Sequence, residues 1–324
     1  MLKNIRVILS ATVHALLLGA ALVGSVHAQG VVPKPARHWP DASGLMLLGA
    51  AHAGERIVAV GEQGVVLLSD DDGRHFRQAA SVPVDATLTA VTFVSAREGW
   101  AVGQWGTVLV TQDGGEHWTQ QRIDTSVDQP LFSVAFTNDR DGWAVGLWSL
   151  VLATHDGGRT WTQMALPKPP DGGKADRNLY RIFAAHDGAL YIAAEQGTVI
   201  RSIDGGITWT YLDTGYKGSL WTGIAMHDGR LLVGGLRGNL FQSADRGATW
   251  SAVHSGSANS ITDLIETHDG VLGVGLDGFV MRAPPGTARF TAIQRPDRAA
   301  LTAVLLDRRN MPVLFSKSGV PGVK

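Results

Sequence analysis

An eight-residue pattern returns along this chain at near-constant intervals, and few folds can accommodate it. Ser202 to Trp209 reads SIDGGITW, and 243–250 reads SADRGATW. THDGGRTW at 154–161 and TQDGGEHW at 111–118 put Thr in place of Ser, and SDDDGRHF at 69–76 ends in Phe. A worn copy over 282–290 ends in Arg289-Phe290. The closing aromatics stand at 76, 118, 161, 209, 250 and 290, so the period is 40 to 48 residues. A period of that size marks a propeller or solenoid, whose units stack to bury a continuous core.

The rest of the unit repeats with the octet. Each begins with a strand-like segment: LMLLGA (45–50), LTAVTF (88–93), LFSVAF (131–136), LYRIFA (179–184), LWTGIA (220–225), ITDLIE (261–266) and LTAVLL (301–306). A turn, a second apolar strand, a tight Gly turn and a third strand follow, and the octet leads into a fourth. Four short strands per unit, joined by hairpin turns, predict a β-propeller blade. We expect an all-β, seven-bladed β-propeller of four-stranded antiparallel blades beginning near 45, 88, 131, 179, 220, 261 and 301. The seventh unit has room for about three strands before Lys324. The segment near 36–40, Ala36-Arg37-His38-Trp39, resembles the end of an octet and is expected to complete it, which would leave no exposed sheet edge.

The octet is the Asp-box known from sialidases. Its Asp can accept N–H bonds from its own loop, its Ser or Thr adds a hydroxyl bond, its Gly suits a positive φ and its Trp buries a large area. A structural role is therefore expected for Asp71, Asp113, Gly115, Trp118, Asp156, Gly158, Trp161, Ser202, Asp204, Gly206, Thr208, Trp209, Ser243, Asp245, Gly247, Thr249 and Trp250. If the first strand of each blade runs from top to bottom, the boxes lie at the outer rim of the bottom. The tight Gly turns and the blade-to-blade connections then lie on top.

The chain carries 28 Lys and Arg against 29 Asp and Glu, a net charge of −1, which gives no basic field for nucleic acid. It contains no Cys, which excludes disulfides, thiol catalysis and Cys-ligated metals. Lys3 and Arg6 precede a mostly apolar run from Val7 to Val23, and Val26-His27-Ala28 resembles a signal-peptidase site. Residues 1–28 are read as a signal peptide and 29–324 as one domain. His14 interrupts the apolar run, and no lipobox Cys follows it. A soluble, monomeric protein of a bacterial periplasm is expected, without a later membrane span.

Catalysis finds little support. Sialidases use an arginine triad and a Tyr nucleophile, and the first Arg of that triad precedes the first box. Between 45 and 69 the single Arg is Arg56, in E-R-I-V, and the nearest look-alike, Arg181-Ile182, falls in blade four. The four tyrosines stand at 180, 191, 211 and 216, and the acids sit mostly in turns. A two-carboxylate glycosidase or a lectin-like binder stays open as the alternative. His186, His227 and His268, with His52 as a fourth, occupy equivalent turns. Equivalent positions on neighbouring blades are expected to lie too far apart to share an ion within a ~2.1 Å bond. No catalytic residue, metal or cofactor is assigned.

G-W-A-V-G at 99–103 and 142–146, G-T-V-L/I at 106–109 and 197–200, and the D-G-G-x-x-W boxes together resemble the photosystem II stability/assembly factor family. The likeness covers about 31–324. It implies an exported, non-enzymatic propeller scaffold that docks on membrane-protein intermediates. Some relatives are encoded near RND-type exporters, which suggests an accessory of such a complex in a non-photosynthetic host.

A partner is expected on the top face, where loops gather on a rigid ring. The connections 119–130 and 162–178 are the longest. The second residue of the first strand is aromatic in three successive blades, Phe132, Tyr180 and Trp221. Trp105 and Trp148 occupy tight turns on that face, with Arg181 and Arg237 near them in register. Trp, Tyr and Arg are enriched at binding hot spots. These seven residues form the candidate docking set. The bland alternative packs the aromatics between blades.

Overall fold

A computed structural model of the protein describes residues 32–287 and 289–322. The proposed signal peptide and cleavage site lie outside the described residues.

Strands follow the repeat closely. Blade two runs Leu88–Phe93, Gly99–Gly103, Thr107–Thr111 and Trp118–Arg122, each paired antiparallel with the next. The second strands, such as GWAVG and LYIAA, are buried at every position. Neighbouring blades cover both of their faces, which is why they read as unbroken apolar runs. The outermost strands, such as Thr210–Asp213, are partly exposed and mix polar with apolar residues. Buried apolar clusters fill the spaces between successive blades. One joins Val60, Leu68, Leu88 and Leu109 across blades one and two, and another joins Val145, Leu179, Ile192 and Trp209 across three and four.

The expectation of seven four-stranded blades is corrected. Among the described residues there are six four-stranded blades, and the seventh unit forms a two-stranded hairpin, Leu301–Leu306 with Pro312–Ser316. The chain turns back directly after that hairpin, where Ser316 and Gly319 exchange backbone bonds. Among the described residues no third strand forms, so the N-terminal segment has no third-strand edge on which to complete a four-stranded blade. It follows blade one instead: Ala36 N–H donates to Val82, Trp39 N–H donates to Gln78 Oε1, and Gln78 Nε2 donates to Arg37. Trp39 still packs in the apolar cluster that joins the hairpin's Phe315 to Leu47 and Leu67 of blade one. A second cluster joins Leu301 and Val304 of the hairpin to Leu272 and Val274 of blade six. The hairpin thus fills the space between blades six and one.

In each of these seven units the ladder between the first two strands slips by one residue near its start. The slip leaves Leu48, Thr89, Phe132, Tyr180, Trp221, Thr262 and Thr302 outside the register. Bulges of this kind re-aim side chains. Thr89, Thr262 and Thr302 donate to the carbonyls of Leu131, Leu301 and Leu47, the residues that open the first strands Leu131–Phe136, Leu301–Leu306 and Leu47–Ala53 of the following units.

Candidate functional site: the two faces of the propeller

The boxes connect third and fourth strands, on the side opposite the tight turns. In the Ser202 box the hydroxyl donates to Asp204 Oδ1 at 2.8 Å and accepts the Gly206 N–H at 2.8 Å. Asp204 Oδ1 accepts the Thr208 N–H at 2.9 Å, and Oδ2 accepts the Thr208 hydroxyl at 2.5 Å. Trp209 closes the loop by donating its indole N–H to the Gly206 carbonyl at 3.0 Å. Gly206 has φ +82°, and a Cβ there would meet the Trp143 indole of the preceding blade at 2.3 Å. The boxes of Asp71, Asp113, Asp156 and Asp245 repeat the hydroxyl–Asp–Gly pattern, with His75, His117, Thr160 and Thr249 in the place of Thr208.

These bonds favour the carboxylate form. The side chain of Thr208 leads in holding Asp204 down to about 2, Thr249 does the same for Asp245, and the Thr160 backbone leads for Asp156. The lone pairs of each Asp are spent within its own loop. In these loops the arrangement is that of a turn clamp.

The opposite face is less regular. Phe132 and Tyr180 stack with ring centroids 5.8 Å apart. Together with Trp221 and Arg181 they line a cavity of about 190 Å³ at the mouth of the central channel. One side of the mouth is therefore aromatic, while Thr89, Thr262 and Thr302 line the other side. Arg181 reaches across the channel from blade four to blade six, where its Nη2 lies 3.7 Å from Asp263 Oδ1. Burial pushes the Asp263 carboxyl up, against the opposing pull of Arg181 and of the Val304 and Leu264 N–H groups. Asp263 is the one carboxylate and Arg181 the one guanidinium lining this cavity. Neither an opposed acid pair nor an arginine triad occurs there.

Trp105, Trp148 and Arg237 sit in tight turns with φ of 55°, 51° and 57°. Non-glycine residues seldom adopt this left-handed region, and Gln63, Gln196 and Asp277 share it at the matching turns. The shared backbone is thus a property of the fold, and the identity of the side chain is free to vary. Trp148 is 55 % exposed. Arg237 is also exposed, whereas Trp105 packs against the cluster between blades one and two. None of the three lines the channel mouth. A polar chain links Trp148 to it: the Trp148 N–H donates to Asn178 Oδ1, Asn178 Nδ2 donates to Glu195 Oε1, and the Tyr180 hydroxyl donates to the same oxygen.

On the lower side, two of the equivalent histidines stand closer together than the expectation of positions too far apart to share an ion would suggest. The rings of His186 and His227 lie 4.3 Å apart, and Glu266 Oε2 sits 2.7 Å from His227 Nδ1. First strands are innermost in the ring, so their ends converge, and this inner placement brings the two rings together. Among the described residues no group of three or more His, Cys, Asp or Glu is arranged to hold a metal.

The same sequence matches, over residues 78–284, the family model described as photosynthesis system II assembly factor YCF48. That is well over half of the chain. The protein belongs to this family. A search of curated proteins by sequence found no match. Among solved structures, YCF48 bound to D1 peptide aligns with a TM-score of 0.70 and 17 % identity, covering 89 % of this chain and 94 % of that one. YCF48 from Cyanidioschyzon merolae aligns with a TM-score of 0.67 and 14 % identity, over 88 % and 97 % of the two chains. Virginiamycin B lyase from Staphylococcus aureus, an enzyme, aligns with a TM-score of 0.71 and 11 % identity, over 89 % and 96 %. At such identities the likeness is one of fold. Among the described residues of this YCF48-family chain, no helix is long and apolar enough to cross a membrane.

Proposed function

We propose that the protein is a non-catalytic scaffold, exported to the periplasm, that holds a segment of a membrane protein against its top face while a complex is assembled. The observation that carries this reading is the asymmetry of the two faces. The boxes spend their polar groups internally, while the opposite face presents Phe132, Tyr180, Trp221 and Arg181 at the channel mouth and Trp148 and Arg237 on flanking turns. Aromatic and Arg side chains on a rigid frame suit the anchoring of an extended peptide. A family relative bound to a D1 peptide supports a partner of this chemistry. Trp105 contributes by stiffening its turn, because it packs inward. In a host without photosystem II, an RND-type exporter is the first complex to test.

The test is capture of membrane proteins from detergent extracts of the source cells by the chain from residue 29 onward, beside a Trp148→Ala/Arg237→Ala double variant. The proposal expects at least one integral membrane protein enriched by the wild type and lost with the double variant. Equal recovery by both proteins would remove the top face from the account.

A further inference from the structure

Blade four carries a feature that docking at the channel mouth leaves unused. The connection leading into this blade folds over its outer part and borders an open cavity of about 520 Å³. Its walls are Pro170, Tyr211 and Leu212 on the apolar side and Arg177, Lys217, Asp171 and Asp213 on the charged side, with Gln196 and Thr198. The connection is pinned at both ends. Tyr211 donates its hydroxyl to the Pro167 carbonyl at 3.1 Å, and the Ser149 N–H donates to the Arg177 carbonyl at 2.8 Å.

Arg177 is the unusual member. It is 8 % exposed, and its guanidinium lies 5.5 Å from the centroid of the Tyr211 ring. Its Nη2 donates to Asp171 Oδ2 at 2.5 Å and to Gln196 Oε1 at 3.1 Å, while Nε and Nη1 are buried without any partner. Native structures seldom leave buried donors unmet, and each such case calls for an explanation. Asp171 makes the explanation concrete. It is a half-exposed residue of the connection, and its carboxylate is placed on the guanidinium as a ligand's would be. Planar guanidinium groups suit two-point binding of a carboxylate, and here a single nitrogen, Nη2, is engaged.

We propose that this cavity is a binding site for a small amphipathic carboxylate, for which Asp171 stands in when the site is empty. The carboxylate of the ligand takes the place of Asp171 on Arg177 and meets the free donors as the connection gives way. Lys217 adds a second positive charge. The apolar body of the ligand lies against Tyr211, Leu212 and Pro170. A volume of this order is typical of small-molecule sites, which combine apolar walls with a few convergent polar groups. The site is separate from the channel mouth, so it stands or falls independently of the scaffold reading.

The probe is benzoate, titrated calorimetrically into the chain from residue 29 onward, with benzamide as its uncharged isostere and inorganic phosphate as a simple anion. We expect saturable benzoate binding and at least tenfold weaker binding of benzamide and phosphate. Asp171→Ala removes the internal competitor and should tighten benzoate at least fivefold, a gain that a purely structural salt bridge could not produce. Arg177→Gln should abolish binding; if that variant fails to fold, Lys217→Ala, with an expected loss of threefold or more, takes its place. Equal binding of benzoate and benzamide, competition by phosphate as strong as by benzoate, no gain in Asp171→Ala, or no binding at all would each overturn the proposal.

Discussion

The rim of Asp-boxes and the face of tight turns are built by the same repeat, yet they diverge in opposite ways. At the rim the side chains recur: hydroxyl, Asp, Gly and aromatic return with bonds of nearly the same length in the boxes of Asp156, Asp204 and Asp245. At the tight turns the backbone recurs, with φ between 51° and 63°, while the side chain changes from Gln to Trp to Arg to Asp. Side chains that recur are those the fold consumes. Where the backbone alone recurs, the side chain is available for something else.

The largest effect should come from the rim. Trp209→Ala deletes a buried indole and its bond to Gly206, and should cost about 3–5 kcal/mol in urea unfolding. A cost below about 1 kcal/mol would mean that the box is not a structural clamp. The top face should behave in reverse. Trp148→Ala should change unfolding stability by no more than about 0.5 kcal/mol, since its side chain is mostly in solvent. The same change should weaken partner binding by roughly thirtyfold, the effect of a hot spot worth about 2 kcal/mol. A stability loss like that of Trp209→Ala would erase the contrast between the two faces.

A smaller effect at the rim is read by pH. Asp204 is held at about 2 in the folded chain against an ordinary 3.8. A depressed carboxyl stabilises the fold fully above its unfolded value and ceases to do so as pH falls through its folded value. The contribution of the box is therefore present above about pH 4 and lost towards pH 2. Asp204→Asn should flatten the dependence of urea midpoint on pH across that window. An unchanged slope in Asp204→Asn would show that the box carboxylates have no special part in acid unfolding.

Most of the ring was legible because its signals are local. Octet spacing and apolar runs placed first strands such as Leu88–Phe93 and Leu220–Ala225 to the residue. Closure was not legible, since it depends on whether residues after Ser316 extend or turn back, and Gly319 turns them back. The site was partly legible. Phe132, Tyr180, Trp221 and Arg181 do share one cavity, as a common register implies. Trp105 packs against an apolar cluster while Trp148 stands largely in solvent, because their shared turn has different neighbours. Contacts between blades, such as Arg181 with Asp263 and His186 with His227, depend on the inward convergence of the blades, which no linear spacing expresses. The Arg177 cavity arises from a long connection that has no counterpart in the repeat.

The most direct test of the central claim is photo-crosslinking in intact cells, with benzoylphenylalanine placed at Trp148 on the top face or at Ile207, 72 % exposed, in a box. The account predicts that position 148 crosslinks to a membrane protein and position 207 does not. Crosslinks to the same membrane protein from position 207 alone, or equally from both positions, would contradict it.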